Sequence, residues 1–341
     1  VSSGDTSVTK EFQVTTKDWL DRPDVRRRRE FDAFLKKTQE EGAGGGLALM
    51  LASGDMPAKE TEAVTEKDVE DSESDTAIFV IARSAGEGDD RKCEPGDYEL
   101  AESEKRAIEF LAGAYDKFIL LLNVCGPVET AWIKSVDSIN AILLVGQQGA
   151  PGGLSVADVL CGKQVPSGKL ADTWALSYQD YSTAKNFGYQ EGNMDDVYYE
   201  EGIYVGYRYF DTFGVEPGYP FGFGMSYTSF SMKTVDVWAD EREVGLKVKV
   251  ENTGKVFAGK EVVQVYVSAP DGKLEKPYQE LKAYAKTDLL APTESQILTI
   301  RFPTVSLASY SAADAAYLLE EGGYYVRVGS SSRSTTIVAC I

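Results

Sequence analysis

The residue with the clearest chemical potential is an acid. Glu87 stands between Gly86 and Gly88 in the run Arg83-Ser84-Ala85-Gly86-Glu87-Gly88-Asp89-Asp90-Arg91. Flanking glycines let the backbone take unusual angles and let a ligand approach it closely. A carboxyl group so placed can give up or take a proton. Cleavage of a glycosidic bond needs such a group, with a second carboxylate across the sugar ring. The plain alternative is a solvated side chain, the usual fate of a lone acid in a glycine-rich loop. The neighbouring charges are mixed. Arg83, Arg91 and Lys92 favour the ionised form of Glu87, whereas Asp89 and Asp90 oppose it. A working acid must hold its proton, so a second catalytic carboxylate facing Glu87 would supply most of the needed rise.

The elements around this run alternate. Ala77–Ile81, Phe118–Leu122 and Ile139–Val145 read as buried strands. Helical patterns separate them at Ser103–Tyr115, with Ala107, Ile108, Leu111 and Ala112 on one side, and near Val128–Lys134; another helix begins at Leu154–Leu160. Continuous apolar strands between helices predict a mainly parallel sheet covered on both faces. Loops after such strands gather at the carboxyl edge, where open α/β folds bind ligands. The Glu87 run leaves there, as does Gly146–Gly153, which fits neither phosphate-loop nor dinucleotide patterns and reads as a packing turn. Upstream, Trp19, Leu20, Val25, Phe31, Phe34 and Leu35 are spaced for an amphipathic helix, interrupted at Pro23.

Past residue 235 strand-like stretches recur without helices, at Val244–Val250, Glu261–Val267, Leu281–Tyr284, Gln296–Phe302, Tyr324–Val328 and Thr335–Val338. Asn252-Thr253-Gly254 and Pro270-Asp271-Gly272 supply turns. Short alternating strands at this spacing predict an antiparallel β-sandwich. The fold class expected is therefore α/β followed by all-β: an α/β sandwich domain over residues 1–230 and a β-sandwich over 231–341. The Gly- and Pro-punctuated aromatic segment from Tyr198 to Phe230 reads as a strap between packed parts rather than a sugar-stacking surface. Trp174 and Trp238 read as core or interface residues.

Composition narrows the partners. A net charge of −19 opposes nucleic acid, because phosphates would be repelled over most of the surface. No apolar run approaches the ~20 residues a membrane span needs. The chain has no histidine, which removes imidazole metal sites and histidine-activated nucleophiles. No metal or cofactor is called for. The four cysteines, Cys93, Cys125, Cys161 and Cys340, form no CxxC pair, and Cys125 and Cys161 read as small buried hydrophobes. A reducing compartment, the cytoplasm, is expected. A start at Val1 rather than Met reads as the interior of a longer protein.

Taken together, several motifs carry a resemblance. Ala82–Lys92 resembles the acid/base loop of β-glucosidases of glycoside hydrolase family 3. Leu121-Leu122-Asn123-Val124-Cys125-Gly126-Pro127-Val128-Glu129 is similar to that family's strand and turn. Ala157–Gly162 and Pro166-Ser167-Gly168-Lys169-Leu170 follow in order, as do Glu200–Tyr209 and Pro220–Thr228. Val165 stands where the family usually has Asn, and Ala171 where it often has Pro; both departures read as structural. The resemblance covers residue 75 to the end. It implies an α/β sandwich, then a fibronectin type III-like region. It also implies a retaining exo-acting β-glycosidase in which Glu87 is the general acid/base. Ser2-Ser3-Gly4-Asp5-Thr6 is similar to a loop near the sugar site, making Ser3 a candidate substrate contact, although serine in such a stretch also serves turns.

The family's nucleophile is an Asp on a (β/α)8 barrel, for which this chain has no room. The resemblance therefore implies a barrel on another polypeptide or elsewhere in the gene product, and a β-glucoside or oligosaccharide substrate. The sandwich is expected to rigidify the assembly and is a candidate surface for homo-oligomerisation. The rival expectation is a non-catalytic carbohydrate-binding or scaffold module that keeps the family fold.

Overall fold

The computed structural model describes residues 63–83, 90–187 and 198–341. The chain divides into two compact units, Val1–Gly126 with Val136–Val156, and Pro127–Ser135 with Ala157–Ile341.

In the first unit, α1 (Glu66–Ser72) is started by Thr65, whose hydroxyl accepts from Asp68 N while Asp68 Oδ2 accepts from Thr65 N. Then come β1 (Thr76–Ala82), α2 (Glu102–Ala114), β2 (Lys117–Asn123) and β3 (Ala141–Leu144). The strands form one parallel sheet in the order β1-β2-β3, with Val80 opposite Leu121 and Leu121 opposite Leu143. α2 buries Ala107, Ile108, Leu111 and Ala112, the apolar stripe legible in the sequence. Ile81, Phe118 and Leu120 are fully buried. Ile78 and Val80, on the other sheet face, stay half-exposed, so among the described residues the expected two-sided cover is incomplete. β3 is shorter than the apolar run 139–145. Asn140 turns its side chain to Phe118 N (2.7 Å) and its own N–H to Phe118 O, which ends the strand there.

The second unit takes in α3 (Thr130–Ser135) and a small antiparallel pair, β4 (Trp174–Ala175) with β5 (Pro217–Tyr219). Thr130 Oγ1 donates to Ala175 O at 2.6 Å, and Lys134 Nζ to Gly218 O at 3.0 Å, so α3 is bonded to both strands. α4 (Gly152–Leu160) runs across the division between the units, and α5 (Tyr207–Phe213) precedes β5.

Nine strands complete this unit: β6 (Phe230–Ala239), β7 (Glu243–Asn252), β8 (Val262–Ser268), β9 (Glu280–Lys286), β10 (Ser295–Pro303), β11 (Ser309–Ser311), β12 (Ala316–Leu318), β13 (Tyr325–Ser331) and β14 (Ser334–Cys340). Two antiparallel sheets, β10-β7-β6 and β14-β13-β8-β9, make the sandwich. Val244, Leu246, Val248 and Val250 of β7 meet Val263, Val265 and Val267 of β8 in the core, all essentially inaccessible. Each such side chain contributes roughly 1.5–3 kcal/mol relative to exposure. Asn252, also fully buried, spends every polar atom. Its Nδ2 donates to Phe257 O and Leu290 O, and its Oδ1 accepts from Thr228 Oγ1 and Gly254 N.

β8 is buried on both faces. Its outward residues Gln264 and Tyr266 are covered by the segment around α5 and β5. Tyr207 stacks on Phe221 at 4.7 Å and meets Tyr266 edge-on at 5.9 Å, while its hydroxyl accepts from Leu281 N. At Gly222, φ is +79° and an added Cβ would lie 2.1 Å from Gln264 Oε1. Only glycine allows that approach. The aromatic segment is thus a strap at these positions, although Tyr198 and Tyr199 are exposed.

Candidate active site

The two residues the sequence singled out, Glu87 and Ser3, lie outside the described residues. What the structure describes is the ground on which the Glu87 segment stands. β1 hands over to it at the carboxyl edge of the parallel sheet, where Arg83 N donates to Asn123 O of β2 at 3.0 Å.

Arg83 is itself buried, and its guanidinium is fully committed. Nη1 and Nη2 each donate to one carboxylate oxygen of Glu104 at 2.7 Å, and Nε donates to Asp97 O at 2.6 Å. Glu104 Oε2 also accepts from Ala101 N and so caps the start of α2. On the far side of the segment, Arg91 Nε donates to Asp97 Oδ1 at 2.7 Å, and Arg91 Nη2 to Asp97 O at 2.9 Å. Lys92 N donates to the second carboxylate oxygen of Asp97 at 2.6 Å.

Both arginines that flank Glu87 in sequence are paired at contact distance with carboxylates of the 94–104 region. A close ion pair acts at a distance as a dipole, and its field falls faster than that of a lone cation. The field that each arginine casts is correspondingly short in range. Sequence reasoning missed Asp97 and Glu104. The Pro95-Gly96 pair is a turn signal that could have drawn attention to Asp97, but nothing local ties it to Arg83 and Arg91.

The other motifs serve packing. Gly126 lies 3.3 Å, measured from an added Cβ, from Arg91 Nη1, so its lack of a side chain makes room for that guanidinium. Val128 is fully buried. Lys169 pairs with Glu261 at 2.8 Å, both side chains nearly buried, and donates to Gly224 O. Leu170 and the Gly222–Phe223 pair exchange backbone hydrogen bonds. Trp174 is core, and Trp238 is half-buried beneath Arg301. Cys125 and Cys161 correct the expectation of buried thiols. Both are exposed, and all four cysteines are free. Apolar neighbours in sequence do not bury a residue that sits in the turn after a strand or at the end of a helix. The second unit also holds an open cleft of about 380 Å³ lined by Lys134, Glu216, Tyr219, Phe223 and Arg333 among others. Burial pushes the Asp211 carboxyl and the Tyr207 and Tyr266 hydroxyls above their usual values.

A three-stranded parallel sheet joined in one chain to a β-sandwich is the pattern of a known family. Residues 4–207 match the glycosyl hydrolase family 3 C-terminal domain, and residues 261–332 match a fibronectin type III-like domain. The chain belongs to glycosyl hydrolase family 3. It is 40% identical over 312 residues to beta-glucosidase A of Butyrivibrio fibrisolvens, covering 78% of this chain and 37% of that protein. It is 41% identical over 267 residues to a beta-glucosidase of Ruminococcus albus, covering 76% of this chain and 28% of that one. Among solved structures it resembles beta-glucosidase 3B of Thermotoga neapolitana in complex with α-D-glucose, with a TM-score of 0.78 at 38% identity over 94% of this chain and 44% of that one. The chain thus spans less than half the length of these relatives. Among the described residues no helix is long and apolar enough to cross a membrane.

Proposed function

We propose that the protein carrying this chain is a retaining, exo-acting β-glycosidase of β-glucosidase type. Glu87 serves as its general acid/base. The nucleophilic Asp comes from a (β/α)8 barrel elsewhere in the gene product or on another chain. Ser3 contacts the sugar. Residues 1–230 form the α/β part and 231–341 the sandwich. The observation that carries the reading is that Arg83, just before the Glu87 run in sequence, sits at the carboxyl edge of a parallel sheet, with Arg83 and Arg91 both held by acids. The relatives' names support the β-glucosidase type. The four free thiols, three of them exposed, support a reducing compartment such as the cytoplasm.

In this mechanism Glu87 protonates the leaving oxygen and then draws a proton from the water that releases the glycosyl-enzyme. A retaining enzyme places the two carboxyl groups about 5–5.5 Å apart. The test is Glu87→Ala assayed on two leaving groups. Alkyl β-glucosides, which need protonation, should lose most of their turnover, and activated aryl glucosides should keep more. Equal losses on both would remove Glu87 from the role. No turnover by the unaltered protein on any β-glycoside would favour a carbohydrate-binding or scaffold module.

A further inference from the structure

We infer that Asp97 is a positioning residue for the acid/base, knotting together the two stems of the segment that carries it. The inference rests on the assignment of Glu87 above, and it concerns how that carboxyl group is held.

Residues 84–89 run between Arg83 and Asp90, and one residue collects the chain on either side. The Asp97 carbonyl accepts from Arg83 Nε at 2.6 Å and from Arg91 Nη2 at 2.9 Å, so a single oxygen bonds side chains from before and after the segment. The Asp97 carboxylate adds Arg91 Nε and Lys92 N, at 2.7 and 2.6 Å. Charge-assisted bonds of this length are the stronger kind, and the planar guanidinium fork fixes direction as well as distance.

The knot is fastened on every side. Asp97 N donates to Glu94 O and Tyr98 N to Lys92 O, which closes the 92–98 turn on itself. Gly96 takes φ +92° within that turn, a left-handed position that glycine fills at little cost. Arg83 is anchored to the sheet through Asn123 O and to α2 through Glu104. Arg91 rests against Gly126 in the turn after β2. The ends of the segment are therefore referenced to the rigid sheet, to a helix start and to each other. An acid/base must meet a glycosidic oxygen to within fractions of an ångström, and misplacement by about 1 Å can cost a hundredfold in rate.

The experiment uses the intact enzyme with three variants beside Glu87→Ala: Asp97→Ala, Asp97→Asn and Arg91→Met. Asp97→Ala should lower kcat on alkyl β-glucosides about tenfold to a hundredfold. KM should change little, and the loss should be much smaller on activated aryl glucosides. Asp97→Asn keeps one acceptor oxygen and should recover part of the loss. Because Asp97 and Arg91 share the Nε–Oδ1 bond, the loss in a fourth, double variant should fall short of the sum of the two single losses.

Loss of kcat by equal factors on both substrates, accompanied by a lowered melting temperature, would mean a structural role only and would overturn the inference. Wild-type kcat in Asp97→Ala and Arg91→Met would do the same. Should Asp97→Ala fail to fold, the asparagine variant carries the same comparison of leaving groups. A Glu87→Ala protein that keeps full activity on alkyl glucosides would instead bring down the assignment of Glu87, whatever Asp97 does.

Discussion

Arg333 Nε lies 2.6 Å from Asp211 Oδ1, joining the turn between β13 and β14 to α5. The Asp211 side chain is 2% exposed and that of Arg333 32%. Asp211 Oδ2 also accepts from Gln279 Nε2, and Arg333 Nη2 reaches the carbonyls of Phe210 and Val215. Burial pushes the Asp211 carboxyl up, and the bonds from Gln279 and Arg333 only partly offset it. Burial is the stronger influence, although the ion pair alone would pull the other way.

The pair should therefore respond unequally to truncation. Arg333→Ala strands a buried carboxylate and should cost about 3 kcal/mol of unfolding free energy. Asp211→Asn leaves an arginine that still bonds two carbonyls and can reach water, and should cost about 1 kcal/mol. Urea denaturation at neutral pH measures both. Equal losses would show that the carboxylate is not the costly partner.

The same carboxyl group sets a pH dependence. Its folded value lies above the ordinary 3.8, so the folded state holds the proton more tightly. The stability it contributes is fully present below the unfolded value and is lost as pH rises through the folded one. Asp211→Asn removes that slope. Its deficit against the unaltered protein should shrink as pH rises from about 3.5 to neutrality. A deficit that grows over that range would mean the sign is wrong.

Glu104 binds both ends of the Arg83 fork and caps α2. Glu104→Ala leaves the Arg83 guanidinium, whose side chain is 5% exposed, without its counter-charge. The expected loss is about 3–5 kcal/mol, read as a lowered denaturation midpoint. Glu104→Gln, which keeps an acceptor, should lose less.

At Gly222 the left-handed φ and the 2.1 Å approach to Gln264 act together. Gly222→Ala should cost roughly 1–3 kcal/mol through overpacking, with backbone strain in addition. It should also disturb the Tyr266–Gln264 hydrogen bond. Tyrosine signals in the near-ultraviolet circular dichroism would report that change, and an unaltered spectrum with full stability would contradict it.

Much of this fold was legible because burial leaves a periodic trace. The apolar runs around Ile81 and Leu120 and the stripe of Ile108 and Leu111 fall on β1, β2 and α2 as read. β6 escaped notice, since half its residues face solvent and its apolar positions are interrupted by Lys233, Asp236 and a register shift. The β11–β12 hairpin is three residues a side, too short to show a period. The candidate site was legible only as a motif. Asp97 and Glu104 acquire meaning from pairings 6 to 21 residues apart, made by side chains whose sequence neighbourhoods look like ordinary polar surface.

The strap over β8 decides how this polypeptide can be rearranged. A sandwich excised at residue 231 would turn Tyr266 and Gln264 toward water and would lose the partners that Leu281, Gln279 and Arg333 find on α5. Part of the outer wall of this sandwich is built from a stretch of chain that precedes it. A piece meant to keep that wall must carry α5 and β5 together with the sandwich.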